Sequence, residues 1–158
     1  GPGLTMLTSA HITTLRALAD ADQVAAGYVA TADDIALSSW FNEPTPHVVW
    51  RTVLSPEMAR SAIIEGATQL DALTVGKRDS LLWLCSGNLN PSVPSVRAAI
   101  DDLCGTQNTL KAALQSAQKR FATRAEKALA SGTGTTNSPA TLTREGLLSY
   151  SEASIIRS

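Results

Sequence analysis

Apolar residues recur at helical spacing along most of the chain. After Ser9, Ile12, Leu15 and Leu18 follow at intervals of three, which predicts a helix that fades near residues 20–22. Ser55-Pro56-Glu57 has a capping hydroxyl, a proline and an acid in the positions that favour a helix start. Residues 24–30 fit either a helix or a short strand, because Gly27 weakens a helix and valines favour strands.

The longest predicted helix runs from about Thr106 to Ala130. Its apolar positions have a mean spacing of about 3.6 residues, the α-helical period. These positions are Leu110, Leu114, Ala117, Phe121, Ala125 and Ala128. Upstream, helices are also predicted around residues 34–41, 68–84 and 95–104, and Gly105 is placed to end the last of these.

Extended structure is predicted in two places. Residues 47–54 are rich in β-branched and aromatic side chains, so they form either a strand or a buried linker. Residues 131–139 are small and polar, as in a flexible linker. After them, 140–144 and 147–150 flank Glu145-Gly146 and predict a short hairpin. A lone hairpin is marginal in water, so we expect this arm to dock on its own domain or on another copy.

Length and composition fit one domain. The chain has 158 residues, 44% of them hydrophobic and 17% charged, with a formal net charge of -1. We therefore expect a mainly α, compact domain of about five helices over 6–130, a linker at 131–139 and a C-terminal β-hairpin or arm at 140–158. Residues 1–5 resemble an expression-tag remnant. No apolar run approaches the ~20 residues that span a bilayer, so we expect no membrane partner.

Charge is unevenly distributed along the chain. Residues 1–104 hold six basic and eleven acidic residues, whereas 105–130 hold five basic residues and one acid. The five are Lys111, Lys119, Arg120, Arg124 and Lys127. On one helix they form a basic patch that contacts either phosphates or an acidic partner. The favoured interpretation is a solvated face that pairs with the acidic remainder of the protein.

Residues with catalytic potential are few. His11 and His47 are far apart, no nucleophile motif is present, and the paired carboxylates at 33–34 and 101–102 fit capping and solvation. Cys85 and Cys104 lie in apolar helical patterns and are interpreted as buried thiols, although a bridge between them stays open. We expect no enzyme, no cofactor and no metal site.

Tryptophans are the large anchors of this sequence. Trp83 lies within an apolar helical segment, which favours a place in the core, whereas Trp50 fits either a core or an exposed strand edge.

Several segments together resemble a family of small proteins encoded by tailed bacteriophages and prophages. The resemblance covers roughly residues 48–153. It rests on Trp50-Arg51-Thr52, Leu73–Lys77, Asn90-Pro91-Ser92, Val96-Arg97-Ala98, Ala122–Lys127, Gly132-Thr133-Gly134, Pro139-Ala140-Thr141 and Gly146–Tyr150. It implies a phage-derived protein that works in the bacterial host cytoplasm or in the virion, and it brings no catalytic residues with it.

The sequence thus favours a non-enzymatic virion or assembly protein of the head-tail or tail region that self-associates. Its arm would add strands to a neighbouring copy or to another phage structural protein. The predicted interface residues are Thr141, Leu142, Leu147, Leu148 and Tyr150, with Trp50 on the acceptor side. The alternative is a phage regulatory or counter-defence protein that binds nucleic acid or a host protein through residues 111–127.

Overall fold

A computed structural model describes residues 6–158, so the predicted tag remnant at 1–5 lies outside the described residues. The protein is mainly helical, with ten helices and one two-stranded antiparallel sheet among these residues. The chain forms two compact units: unit 1 comprises Gly1–Val49 and Phe121–Ser158, and unit 2 comprises Trp50–Arg120. The elements in chain order are α1 (Ser9–Ala21), α2 (Gln23–Ala30), α3 (Asp34–Phe41), β1 (Pro44–Trp50), α4 (Pro56–Glu65), α5 (Ala67–Ala72), α6 (Val75–Leu84), α7 (Pro94–Cys104), α8 (Asn108–Ala117), β2 (Lys119–Thr123), α9 (Arg124–Leu129) and α10 (Tyr150–Arg157).

Unit 1 is built around helices from both ends of the chain. Helix α1 packs against α2, α9 and α10, and α3 packs against α10. Leu15, Leu37, Phe41 and Ile156 are almost completely buried in the shared core. Side chains satisfy the free amides at the helix starts, because Thr8 caps α1 and the Asp22 carboxylate accepts from two amides of α2. Residues 24–30, which the sequence leaves open, are therefore helical.

The segment after α9 lies beside β1 within unit 1. Ser131 and Thr141 exchange two backbone hydrogen bonds, and Ala140 forms a parallel bridge with Val49. The Val48 amide donates to the carbonyl of Gly134. Residues 131–141 thus supply hydrogen-bond partners to the backbone of β1.

Unit 2 is a helical cluster formed by α4 to α8. Leu54, Leu81, Ile100 and Leu114 are fully buried in its core. Helices α4 and α8 pack closely at Gly66, the residue that follows α4. A Cβ at this position would lie only 2.6 Å from the Cα of Leu110. The absence of a side chain at Gly66 therefore permits this close approach. At the other end of α4, the predicted start at Ser55 is confirmed, since the Ser55 hydroxyl accepts a hydrogen bond from the Met58 amide.

The prediction of one helix over 106–130 is wrong. Helix α8 ends at Ala117, residues 119–123 form β2, and α9 begins at Arg124. Strand β1 has free backbone donors and acceptors, and β2 pairs with them, so tertiary pairing overrides the helical period. The expected number of five helices is also wrong. Several short helices, separated by capping residues, stand where the sequence predicted fewer and longer helices.

The prediction of a C-terminal hairpin over 140–150 is wrong as well. Thr141 pairs with Ser131 rather than with 147–150, and residues 150–157 form helix α10. Leu142 and Leu148 are both buried in unit 1, but in different clusters. Leu142 packs with Val49 near the strands, whereas Leu148 packs in the core formed by the helices. The Ser149 hydroxyl and the Glu152 carboxylate form a capping box that starts α10.

No helix in residues 6–158 combines the length and the apolar character that crossing a bilayer requires. Both cysteines are free and buried in the core of unit 2.

Candidate functional site

The predicted interface residues of the C-terminal segment divide into two groups. Leu142 and Leu148 are buried in unit 1, whereas Thr141 is exposed and Leu147 and Tyr150 are 69% and 59% exposed. The side chain of Asn42 holds the backbone of Leu148 on both sides: Oδ1 accepts from its amide at 2.7 Å and Nδ2 donates to its carbonyl at 2.9 Å. The segment is therefore docked on helices of its own chain.

A buried ionic network fixes the turn between these two groups. Arg144, which is 2% exposed, donates to the carbonyls of Gly146 and Leu147 and forms a 3.3 Å ion pair with Glu152. The Gly146 amide donates to Glu126 Oε2 at 3.0 Å. Arg144 thus bonds the carbonyls of the turn from inside unit 1, which leaves the side chain of Leu147 facing solvent.

The five basic residues of the predicted patch do not lie on one helix. Lys111 lies on α8, Lys119 and Arg120 on β2, and Arg124 and Lys127 on α9. The helical face on which they were expected to gather is therefore absent.

Arg124 has partners within unit 1. Its guanidinium forms a 2.7 Å ion pair with Glu43, donates to the carbonyl of Trp40 at 2.7 Å and lies 4.2 Å from the centre of the Trp40 ring. These contacts tie α9 to α3, which gives Arg124 a structural role.

Trp50 lies among cations in unit 2. The Arg97 guanidinium carbon is 4.2 Å from the centre of the Trp50 ring, and Lys119 Nζ is 5.5 Å from it. Arg97 is held in place by a 2.8 Å hydrogen bond from Nη1 to the carbonyl of Pro91. Trp50 itself is half-buried, so part of the indole remains accessible.

Two further side-chain donors lie on Arg51 and Gln118, whose backbones are joined by a hydrogen bond. The Arg51 amide donates to the carbonyl of Gln118 at 2.8 Å, which joins the two segments. Among the described residues, buried Arg51 Nε and Gln118 Nε2 have no hydrogen-bond partner. Burial, followed by the charge of Arg120, lowers the pKa of Arg51. A negative acceptor would relieve both features.

Trp83, which the sequence places in the core, is 76% exposed on α6, so that prediction is wrong. Leu81 takes the core position on this helix, and Trp83 points elsewhere because residues two apart on a helix face different directions. On the same helix, Leu82 lines a groove of about 280 Å³ together with Ile64 of α4. The exposed Trp83 and this groove are apolar surface features that sequence reasoning missed.

Unit 1 contains a cavity of about 590 Å³ lined by Leu18, Trp40, Pro44, Pro46 and Ala128 together with Asp22, Arg124 and Lys127. Its size is in the range of small-molecule sites. Asp22 is engaged as the cap of α2 and Arg124 with Glu43, so two of its three charged groups already serve the fold.

The titratable groups offer little for catalysis. Burial raises the pKa of both cysteine thiols to about 11, so they are protonated near neutral pH. Burial, followed by the charge of Lys127, lowers the pKa of His47 and so favours the neutral imidazole. Within residues 6–158, no three His, Cys, Asp or Glu side chains are grouped to hold a metal ion.

Comparison with known proteins adds no relative: no family model, curated protein or solved structure matches this chain.

Proposed function

We propose that the protein is a non-enzymatic virion or assembly protein of a tailed bacteriophage, and that it acts by associating with further copies of itself. The resemblance to tailed-phage proteins over residues 48–153 supports the phage origin. The observation that carries the self-association is Trp83, which is 76% exposed on α6 and follows the exposed Leu82 in the chain. Tryptophan in such a position is typical of interface hot spots.

The exposed apolar surface is larger than one side chain. Ile64 is 67% exposed, Leu82 42% and Val75 64%, and Leu82 and Val75 lie seven residues apart on one stripe of α6. Contact with a partner removes such surface from water at a gain of about 25 cal/mol per Å².

Charge supports another copy of this chain as the partner. Unit 1 holds five basic and eight acidic residues, a difference of -3, whereas unit 2 holds eight basic and six acidic residues, a difference of +2. Unlike units of different copies therefore attract each other, which favours head-to-tail association. Head-to-tail contacts generate closed rings or filaments, the assemblies from which virions are built.

Docking of residues 140–158 on unit 1 changes the route to association. The Asn42 contacts place this segment on its own chain, so we assign association to the surface around Trp83 instead. Leu147 and Tyr150 remain exposed and are available to a neighbouring copy.

Light scattering coupled to size-exclusion chromatography tests self-association. We expect the wild-type chain to elute at a multiple of 16.6 kDa and the Trp83→Glu variant at the monomer mass, because a charge replaces the apolar anchor. Val53→Glu is the matched control, since Val53 is 49% exposed in the same unit 2 but lies outside α4 and α6, and its change should leave the oligomer intact. A monomeric wild type, or equal dissociation by both changes, would overturn the assignment.

Phage origin is tested separately. Mass spectrometry of virions purified from the strain that encodes the chain should detect its peptides if it belongs to the particle. Detection in the lysate with none in assembly intermediates or virions would contradict an assembly role.

A further inference from the structure

We propose that the cavity of unit 1 binds a small monocarboxylate with an apolar body, and that the carboxylate pairs with Lys127. The cavity has a volume of about 590 Å³, and α1, α3, β1 and α9 contribute its walls. This site goes beyond the proposed self-association, because it shares no residue with the surface around Trp83.

The walls of the cavity are mainly apolar. Leu18 lines it from α1 and Ala128 from α9, and Trp40, which is 7% exposed, lines it from α3. On the side of β1 the lining residues include Pro44 and Pro46. Proline has a fixed φ and no N–H group, so these two residues form a stiff wall that offers no amide donor to a ligand. The walls therefore suit an apolar molecular body.

Two of the three charged groups in the lining already have partners within unit 1. Asp22 Oδ1 accepts from the amides of Val24 and Ala25, each at 3.0 Å, so the positive end of α2 offsets its charge. Arg124 forms the 2.7 Å ion pair with Glu43. Neither group therefore needs a ligand to balance its charge.

Lys127 is the third charged group, and it lacks a counter-charge. Within residues 6–158 its side chain forms no hydrogen bond and no ion pair, and it lies exposed on α9. Arg124, Lys127 and Ala128 are spaced three and four residues apart, so they share the face of α9 that lines the cavity. The ammonium group is thus placed beside apolar walls, where an anion whose apolar body enters the cavity can pair with it.

The charge of the lining favours a monoanion over a ligand with two negative charges. One ammonium group balances one carboxylate, whereas a second negative charge would lie against apolar walls and near the Asp22 carboxylate. A volume of about 590 Å³ is in the range of small-molecule sites and accommodates a bicyclic aromatic acid. The chemical class is therefore an apolar monocarboxylic acid in its ionised form.

Isothermal titration calorimetry of the full-length chain with 2-naphthoate tests the site. We expect binding with a Kd below about 1 mM. Two probes separate the contributions of ring and charge: 2-naphthalenemethanol has the ring without the charge, and acetate has the charge without the ring. Each should bind at least about fivefold more weakly than 2-naphthoate, because each lacks one of the two contacts.

Two variants change the cavity in different ways. Lys127→Gln removes the ammonium group and should weaken binding of 2-naphthoate by about fivefold. Ala21→Leu leaves the charge unchanged but enlarges a lining side chain at the exposed last residue of α1, and it should weaken binding by about tenfold or more. Circular dichroism melts verify that each variant is folded.

Matched controls separate this cavity from other parts of the surface. Lys77→Gln removes an exposed lysine from α6 of unit 2, and Trp83→Glu removes the large exposed aromatic side chain of that helix. We expect both to bind 2-naphthoate as the wild type does. Absence of binding, equal affinity for the alcohol, or equal losses in Lys127→Gln and Lys77→Gln would overturn the proposal. Loss of binding in Trp83→Glu with unchanged binding in Ala21→Leu would also overturn it, because the acid would then occupy the surface around Trp83.

Discussion

The contact between Asn42 and Leu148 provides the most direct test of how the C-terminal segment folds. Two hydrogen bonds, of 2.7 and 2.9 Å, join the Asn42 amide to the backbone of Leu148, whose side chain is 3% exposed. The Asn42→Ala variant leaves both backbone groups without these partners. At about 0.5 to 1.5 kcal/mol for each bond, the docked segment loses about 1 to 3 kcal/mol.

Native-state hydrogen exchange measures this loss locally. Because 1.4 kcal/mol corresponds to a tenfold change in an equilibrium constant, protection of the Leu148 amide should fall by about 5- to 150-fold in Asn42→Ala. Asn137→Ala is the control: Asn137 is exposed in the segment 131–139, and among residues 6–158 its side chain forms no hydrogen bond, so protection should not change.

The same measurement distinguishes docking within one chain from exchange between copies. If the segment folds on its own unit 1, protection of Leu148 and of α10 is independent of protein concentration. An unprotected Leu148 amide in the wild-type chain, or protection that disappears on dilution, would refute the reasoning and return the arm to a neighbouring copy.

Two further changes test other parts of the structure. Gly134→Ala should lower the free energy of unfolding by about 1 to 3 kcal/mol, because Gly134 has φ of +85° and a Cβ there would overlap the His47 ring. Gly27→Ala should raise the free energy of unfolding by about 0.5 to 1 kcal/mol, because Gly27 lies at an exposed position of α2 with open space around it. Equal urea midpoints for the two variants would contradict both expectations. Burial raises the pKa of the Cys85 and Cys104 thiols from 9.0 to about 11, so in that pH interval the unfolded chain loses protons that the folded chain keeps, and stability falls as pH rises. Urea unfolding at pH 9 and above should show this fall, a Cys85→Ala/Cys104→Ala variant should show a shallower one, and rapid alkylation of the native thiols by iodoacetamide at pH 8 would disprove their burial.

Local signals predicted the helical class and several helix boundaries. Ser55-Pro56 starts α4, and Gly105 ends α7 with φ of +58°, as expected from capping chemistry. These features depend on residues adjacent in the chain, so the sequence contains the necessary information.

The errors arose where distant partners determine the structure. The helical period over 106–130 continued through β2, and only the pairing with β1 makes those residues extended. Two local signals were present nevertheless: Thr123 and Glu126 form a capping box at the start of α9, and Ser149 and Glu152 form one at the start of α10. Each marks a helix start within a segment assigned otherwise.

The candidate sites show the same division. The basic residues were assigned to one helix, with a solvated face as the favoured interpretation, whereas the position of Arg97 over Trp50 depends on the packing of unit 2 and has no signature in the chain. The exposure of Trp83 was likewise hidden, because an apolar helical segment predicts burial whether or not a neighbouring helix covers each face.

The order of the two units along the chain has a consequence for synthesis. Unit 2 is one continuous stretch, whereas unit 1 needs α10 from the end of the chain to complete its core with Ala153 and Ile156. During synthesis, Trp50–Arg120 is fully translated before α10, the last helix that the core of unit 1 requires. The core of unit 1 is therefore completed last, and a chain that terminates prematurely after Arg120 contains the whole of unit 2 but lacks the second part of unit 1.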